Sequence, residues 1–201
     1  MRVVFNSSNI YTLVIAAILL PSAVLHCAQP QQQTSSSPLT REQTAVYGAF
    51  LTNYHRGGPG SPRREVIDVA ETTEILQPDE GDYGGCMKSF PQVAPKEVIH
   101  RLSEDFANRN HLHLVDPRLH KFQDPQDGMR NGLSVENAVE SAFKSGLLTI
   151  SEIIFDAHHK RAAFHYSFVC GQLCAHFETV VYEKRHGIWK PSKLSCGYGV
   201  S

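Results

Sequence analysis

RAAFHYSFVCGQLCAHFETVVYEKRHGIWK, residues 161–190, carries the most explicit structural pattern in the chain. Ala162, Phe164, Tyr166 and Phe168 alternate with other residues, which is the period-two signature of a strand with one buried face. Cys170 to Cys174 follows as a tight loop, and His176 to Glu183 is a second β-rich run. Arg185-His186-Gly187 reads as a turn, and Ile188 to Lys190 opens a further strand. Gly187 suits the left-handed backbone of a tight turn. Trp189, the only tryptophan, is expected at the helix–sheet interface. Upstream, Ile150 to Asp156 is also β-rich and joins this unit through the polar Ala157 to Lys160. Four runs joined by short turns read as an antiparallel meander.

Three segments before the meander read as helices. Thr40 and Gln43 form a Thr-x-x-Gln capping pattern. Behind it Val46, Ala49, Phe50 and Tyr54 recur at helical steps, and Gly57-Gly58 end the run. A second helix is expected from Pro95, with Val98, Ile99, Leu102 and Phe106 as its apolar stripe. A third follows Ser134, with Val135, Ala138, Val139, Ala142 and Phe143 expected to face inward and Gly146 to end it. Glu65 to Ile75 favours a strand, and His111 to His120 resists assignment. The expected fold is therefore α+β, with N-terminal helices packed on a C-terminal antiparallel β-meander in a single domain over 40–201.

The first residues read as an address. Arg2 is the only charge in the first forty residues, and Leu13 to Leu20 is an apolar run followed by Pro21-Ser22-Ala23. That is the layout of a secretory signal peptide, assigned to 1–28, and the run falls short of the roughly 20 residues a membrane span needs. No transmembrane span is expected in the mature chain. Residues 29–39 include PQQQTSSSP, read as a flexible linker. The expected location is secreted or periplasmic. A lipid on Cys27 is the secondary reading, disfavoured because His26 precedes it where a small residue is usual.

Five cysteines occur, and removal of Cys27 with the signal leaves four. An even number in an exported domain argues for disulfides. Cys170 pairs most simply with Cys174, which leaves Cys86 with Cys196, although four cysteines allow three pairings. The C-x3-C spacing also fits a zinc site. No second cysteine pair matches it, so no metal and no cofactor are expected.

Two motifs carry a resemblance. Cys-Gly-Gln-Leu-Cys-Ala at 170–175 and Glu-Lys-Arg-His-Gly-Ile-Trp-Lys at 183–190 resemble a group of uncharacterised exported bacterial proteins with a Cys-Gly-x-Leu-Cys loop and a Glu-Lys-x-x-Gly-x-Trp-Lys hairpin. The likeness covers about the last fifty residues. The chain departs from the group at Ile154-Phe155-Asp156, where Gly-Phe-Asn is usual, and in its Tyr-Gly-Val-Ser ending. The resemblance implies export and a cysteine-closed loop, and no catalytic activity.

The charge balance argues against nucleic acid as a partner: 19 basic against 20 acidic residues give a net charge of −1, and phosphate binding needs a cationic face. No serine-hydrolase elbow, zinc-protease helix, phosphate loop or dinucleotide fingerprint occurs. Gly81 to Gly85 reads as a turn, and Asp79, Glu80 and Asp82 as a solvated acidic loop. Histidine is abundant, and His158, His159 and His186 sit in expected turns. The remaining candidates for chemistry are His165, Ser167, His176 and Glu178. If Cys170 lies opposite Cys174, paired residue numbers add to 344, and His165 and Ser167 fall on the face opposite His176 and Glu178. A slip of one residue would unite all four. The symmetric cysteine loop favours the first register. The leading expectation is a non-enzymatic binding or envelope-associated domain that meets an unknown protein or envelope component through its exposed sheet face or its cysteine loop. The alternative is a histidine-assisted or metal-dependent hydrolase of the cell envelope.

Overall fold

The computed structural model describes residues 37–56, 66–76, 90, 99–172, 174–194, 196 and 198–200. The expected signal peptide, most of the linker, Cys27, Asp79 to Cys86 and the turn at Gly57-Gly58 lie outside them. So does Pro95 to Val98, the start of the second expected helix.

Strands run β1 (Ser37–Pro38), β2 (Ile67–Ala70), β3 (His100–Arg101), β4 (Leu112–Val115), β5 (Leu147–Ile150), β6 (Ile154–Phe155), β7 (Arg161–Gly171), β8 (Cys174–Arg185), β9 (Ile188–Pro191) and β10 (Tyr198–Val200). Helices are α1 (Arg41–Arg56), α2 (Glu104–Arg109), α3 (Pro125–Arg130) and α4 (Val135–Lys144). The main sheet has eight strands in the order β10-β8-β7-β5-β2-β4, with β6 also on β7 and β9 also on β8. β2 pairs in parallel with both β4 and β5, and the remaining pairs of this sheet are antiparallel. β1 and β3 form a separate parallel pair that ties the last linker residues, Ser37 and Pro38, to His100 and Arg101.

This architecture corrects the expectation of helices packed on a C-terminal meander. The antiparallel β5–β9 region exists, but the sheet is mixed and extends through β2 and β4, drawn from the first half of the described chain. Strand outweighs helix. Three of the four helices span ten residues or fewer and alternate with strands along the chain. The helix expected from Pro95 is also corrected: His100 and Arg101 are strand, and Ser103 starts the helix by accepting the Phe106 amide at 3.2 Å. Leu102 and Phe106 are buried as expected, but Leu102 from the link after β3 and Phe106 from α2.

α1 forms where the sequence places it. Gln43 N–H donates to Thr40 Oγ1 at 3.2 Å and Thr40 N–H donates to Gln43 Oε1 at 2.9 Å, a reciprocal capping box. The helix lays Val46, Tyr47, Phe50 and Leu51 against the sheet. Phe50 meets Phe164 edge-on at 5.1 Å and Tyr166 at 4.9 Å, and Tyr47 meets Phe164 at 5.2 Å. Each such side chain contributes about 1.5–3 kcal/mol on burial. Trp189 is buried at this interface beside Phe155, with Lys184 Nζ 5.3 Å from its ring centre.

The β7–β8 hairpin keeps the expected register, with Phe164 opposite Val180, His165 opposite Thr179 and Ser167 opposite Phe177. The pairing shifts only between Val169 and Gly171, where Cys170 bulges before the turn. A disulfide joins Cys170 to Cys174. Closing so short a loop contributes about 2 kcal/mol in the chain-entropy picture. Cys196 is buried and also disulfide-bonded. Its expected partner Cys86 lies outside the described residues. His186 and Gly187 both have positive φ, 52° and 79°, as a tight two-residue hairpin turn requires. Among the described residues no helix is long and apolar enough to cross a membrane.

Candidate functional site

The register divides the four residues singled out for chemistry. Side chains alternate along each strand and directly opposed residues share a face. His165 and Ser167 therefore stand with Thr179 and Phe177, whereas His176 and Glu178 stand with Phe168 and Tyr166 on the face that α1 covers. On the outer face His165 Nδ1 is 3.4 Å from Thr179 Oγ1, and Ser167 Oγ is 2.8 Å from Thr149 Oγ1.

On the inner face Tyr166 links the other pair. Its hydroxyl lies 2.8 Å from His176 Nε2 and donates to Glu178 Oε2 at 3.1 Å. His176 and Glu178 are each more than one-third open to solvent at the side chain, while Tyr54 packs edge-on against the Tyr166 ring at 5.6 Å. Burial pushes the Tyr166 phenol well above its ordinary pKa and the Glu178 charge pushes it further, so the phenol stays protonated. A carboxylate, a phenol and an imidazole in series can exchange protons with one another or hold a small polar molecule. Tyr166 entered the sequence reading only as a core residue; its place opposite Glu178 follows from the register.

A second polar cluster is buried. Glu152 accepts from Gln43 Nε2 at 3.4 Å and from the His100 amide at 3.2 Å, and it also accepts a hydrogen bond from Thr73 Oγ1. Its two oxygens each lie 2.8 Å from His100 Nδ1. Gln43 thus serves twice, its oxygen capping α1 and its nitrogen holding Glu152. A carboxylate inside the apolar run Leu147 to Phe155 was the available sequence signal. All four residues are buried, so the cluster acts as an internal clasp between α1, β3 and the sheet.

The third feature is on the surface. α4 follows its Ser134 cap as expected, and the Asn137 amide donates to Ser134 Oγ at 3.2 Å. Its buried face is narrower than expected. Ala138 and Ala142 are inside, but Val135, Val139 and Phe143 are 65, 38 and 43% exposed. Seven of the thirteen exposed large apolar side chains among the described residues fall between 119 and 143. Between α3 and α4 a cavity of about 250 Å³ is lined by Phe122, Asp124, Asp127, Leu133, Ala138 and neighbouring polar groups. α3 itself, which the sequence reading missed, buries none of its residues. It is held where Asp124 caps it: Oδ1 accepts the Gln126 amide at 2.8 Å, and Oδ2 accepts the Gln172 amide of the cysteine loop at 3.3 Å.

His158, His159 and His186 are exposed in turns as expected, and His159 pairs with Glu42 at 2.8 Å. Among the described residues no group of three or more histidine, cysteine or acidic side chains is placed to hold a metal ion. No family model, curated protein or solved structure matches this chain.

Proposed function

We propose that the chain is an exported, disulfide-stapled domain, secreted or periplasmic, that binds a partner through α3 and α4. The outward turn of Val135, Val139 and Phe143 carries this reading. An amphipathic helix that leaves three of its five apolar residues partly exposed has a surface that gains by being covered. Residues 124–144 hold four carboxylates against two cations, so the favoured partner presents apolar side chains flanked by basic ones. The Cys170–Cys174 bridge suits an oxidising compartment, and the likeness of residues 170–190 to exported bacterial proteins supports the same location.

The test is a photo-crosslinking residue at position 139 of the full chain, exported by its own host, with one at His158 as control. A discrete, saturable adduct at 139 and none at 158 is expected. Absence of an adduct at 139, or equal labelling at both positions, overturns the reading.

A second reading, histidine-assisted hydrolysis in the envelope, draws on the Tyr166–His176–Glu178 series alone. It requires a turnover that His176→Ala and Glu178→Gln both abolish while the folded hairpin persists.

A further inference from the structure

We infer that the Cys170–Cys174 disulfide is a latch: a dithiol that reduces it releases the α3–α4 pair while the sheet stays folded. The functional meaning of the latch rests on the binding reading above, since the released elements are the proposed contact surface.

The two sulfurs are unequally placed. Cys170 is 1% exposed and belongs to the core, whereas Cys174 is only partly buried. An incoming thiolate therefore reaches Cys174 Sγ, forms a mixed disulfide there and expels the Cys170 thiolate. The second thiol of the same reductant then displaces Cys174. Two electrons and two protons pass to the cysteines, and the dithiol leaves as a disulfide.

The loop closed by this bond is in contact with α3. A side-chain carbon on Gly171 would fall 3.2 Å from Pro125 Cδ and 3.4 Å from Asp124 Oδ2, so the loop backbone lies directly on the start of the helix. The Gln172 amide donates to the same Asp124 carboxylate that caps the helix. α3 has only six residues and buries none of them. A helix so short does not persist by itself in water, so its order depends on the cap, the loop and α4. Gly128 meets Ala138 closely, a carbon added at Gly128 falling 3.1 Å from Ala138 Cβ. Phe143 of α4 stacks on Phe168, two residues before Cys170. By contrast β7 is paired along its length with β8, and over Tyr166–Val169 with β5 as well.

The experiment is hydrogen exchange of the full exported chain read by mass spectrometry. Wild type is compared with Cys170→Ser/Cys174→Ser, which leaves the other cysteines untouched, and with oxidised Asp124→Ala. Both variants are expected to exchange amides of 125–130 and 135–144 at least tenfold faster, with 161–169 and 175–183 unchanged. Unchanged helices in the double serine variant, whatever Asp124→Ala does, or equal acceleration of the strands, overturns the latch. Should the double serine variant fail to fold, Cys170→Ala/Cys174→Ala, which puts no hydroxyl at the buried position 170, carries the same test. Because exchange needs no partner, faster helices without an adduct at position 139 keep the latch and reject the binding reading. An adduct with unchanged helices does the reverse.

Discussion

Asp124 joins two backbone amides that are 46 residues apart in sequence, Gln126 at 2.8 Å in its own helix and Gln172 at 3.3 Å in the cysteine loop. One carboxylate thus satisfies an orphan helix donor and docks the tip of the main hairpin. Asp124→Ala is expected to cost about 1–2 kcal/mol, the usual cost of losing a side-chain cap. Asp124→Asn, which keeps one oxygen, should cost less. Urea unfolding of both variants checks the order.

Glu152 should be far less tolerant. Glu152→Ala leaves Thr73, His100 and Gln43 buried with lost partners. The expected loss is about 3 kcal/mol. Exposed Glu140, whose partner is Lys144 one helical turn away, should change stability far less on the same substitution. Comparison of the two midpoints in one denaturant series decides it.

Two glycines separate space from backbone angle. A carbon added at Gly146 would lie 2.0 Å from the Phe168 ring, so Gly146→Ala must displace a buried aromatic side chain, at about 1–3 kcal/mol. Gly187 has nothing within 4 Å but sits at φ +79°. Gly187→Ala should cost about 1 kcal/mol, and Gly187→Asn should recover part of it because asparagine tolerates that angle. Thermal unfolding of the three variants distinguishes crowding from strain.

Acid stability should register Glu42. Lys184, at 2.8 Å, and His159 hold its carboxyl below the ordinary 4.5. A lowered carboxyl pKa contributes stability that is present above the unfolded value and lost as pH falls through the folded value. Glu42→Gln should therefore be less stable than wild type at neutral pH, by at most about 1 kcal/mol for so open a pair. The difference should begin to shrink as pH falls below about 4.5 and vanish once pH is below the lowered value. Parallel unfolding at pH 7 and pH 3 checks the sign.

Local signals were readable and distant ones were not. The Thr40–Gln43 and Ser134 caps rest on residues three apart, and both appear as expected. The β7–β8 register expected from a symmetric cysteine loop holds from Arg161 to Val169 and keeps His165 and Ser167 away from His176 and Glu178, although the loop itself is not symmetric: Gly171, not Cys170, lies opposite Cys174. β2 lies inside the strand expected over Glu65 to Ile75, but its parallel pairing with β4 and β5 joins distant stretches of chain that nothing nearby in sequence announces; β4 falls in the unassigned His111 to His120, and β5 ends where the expected run at Ile150 begins. Val98, Ile99, Leu102 and Phe106 satisfied a helical spacing that Ser103 cuts in two. α3 had a readable start in Asp124-Pro125, but its six residues carry no buried stripe. On α4 the spacing marked five apolar positions as one face; alanines suffice to fill the space against α3 and the sheet, which leaves the larger side chains outside.

β9 and β10 lie end to end on one edge of β8, opposite Arg185 to Tyr182 and opposite Glu178 to His176. Short successive strands there occupy backbone donors and acceptors that would otherwise invite another chain. The last residues therefore act as a guard rail against strand-to-strand aggregation. Loss of residues 198–201 would bare the His176–Glu178 backbone in the middle of the largest antiparallel unit. Removal of β10 is accordingly the change most prone to turn a monodisperse preparation into oligomers.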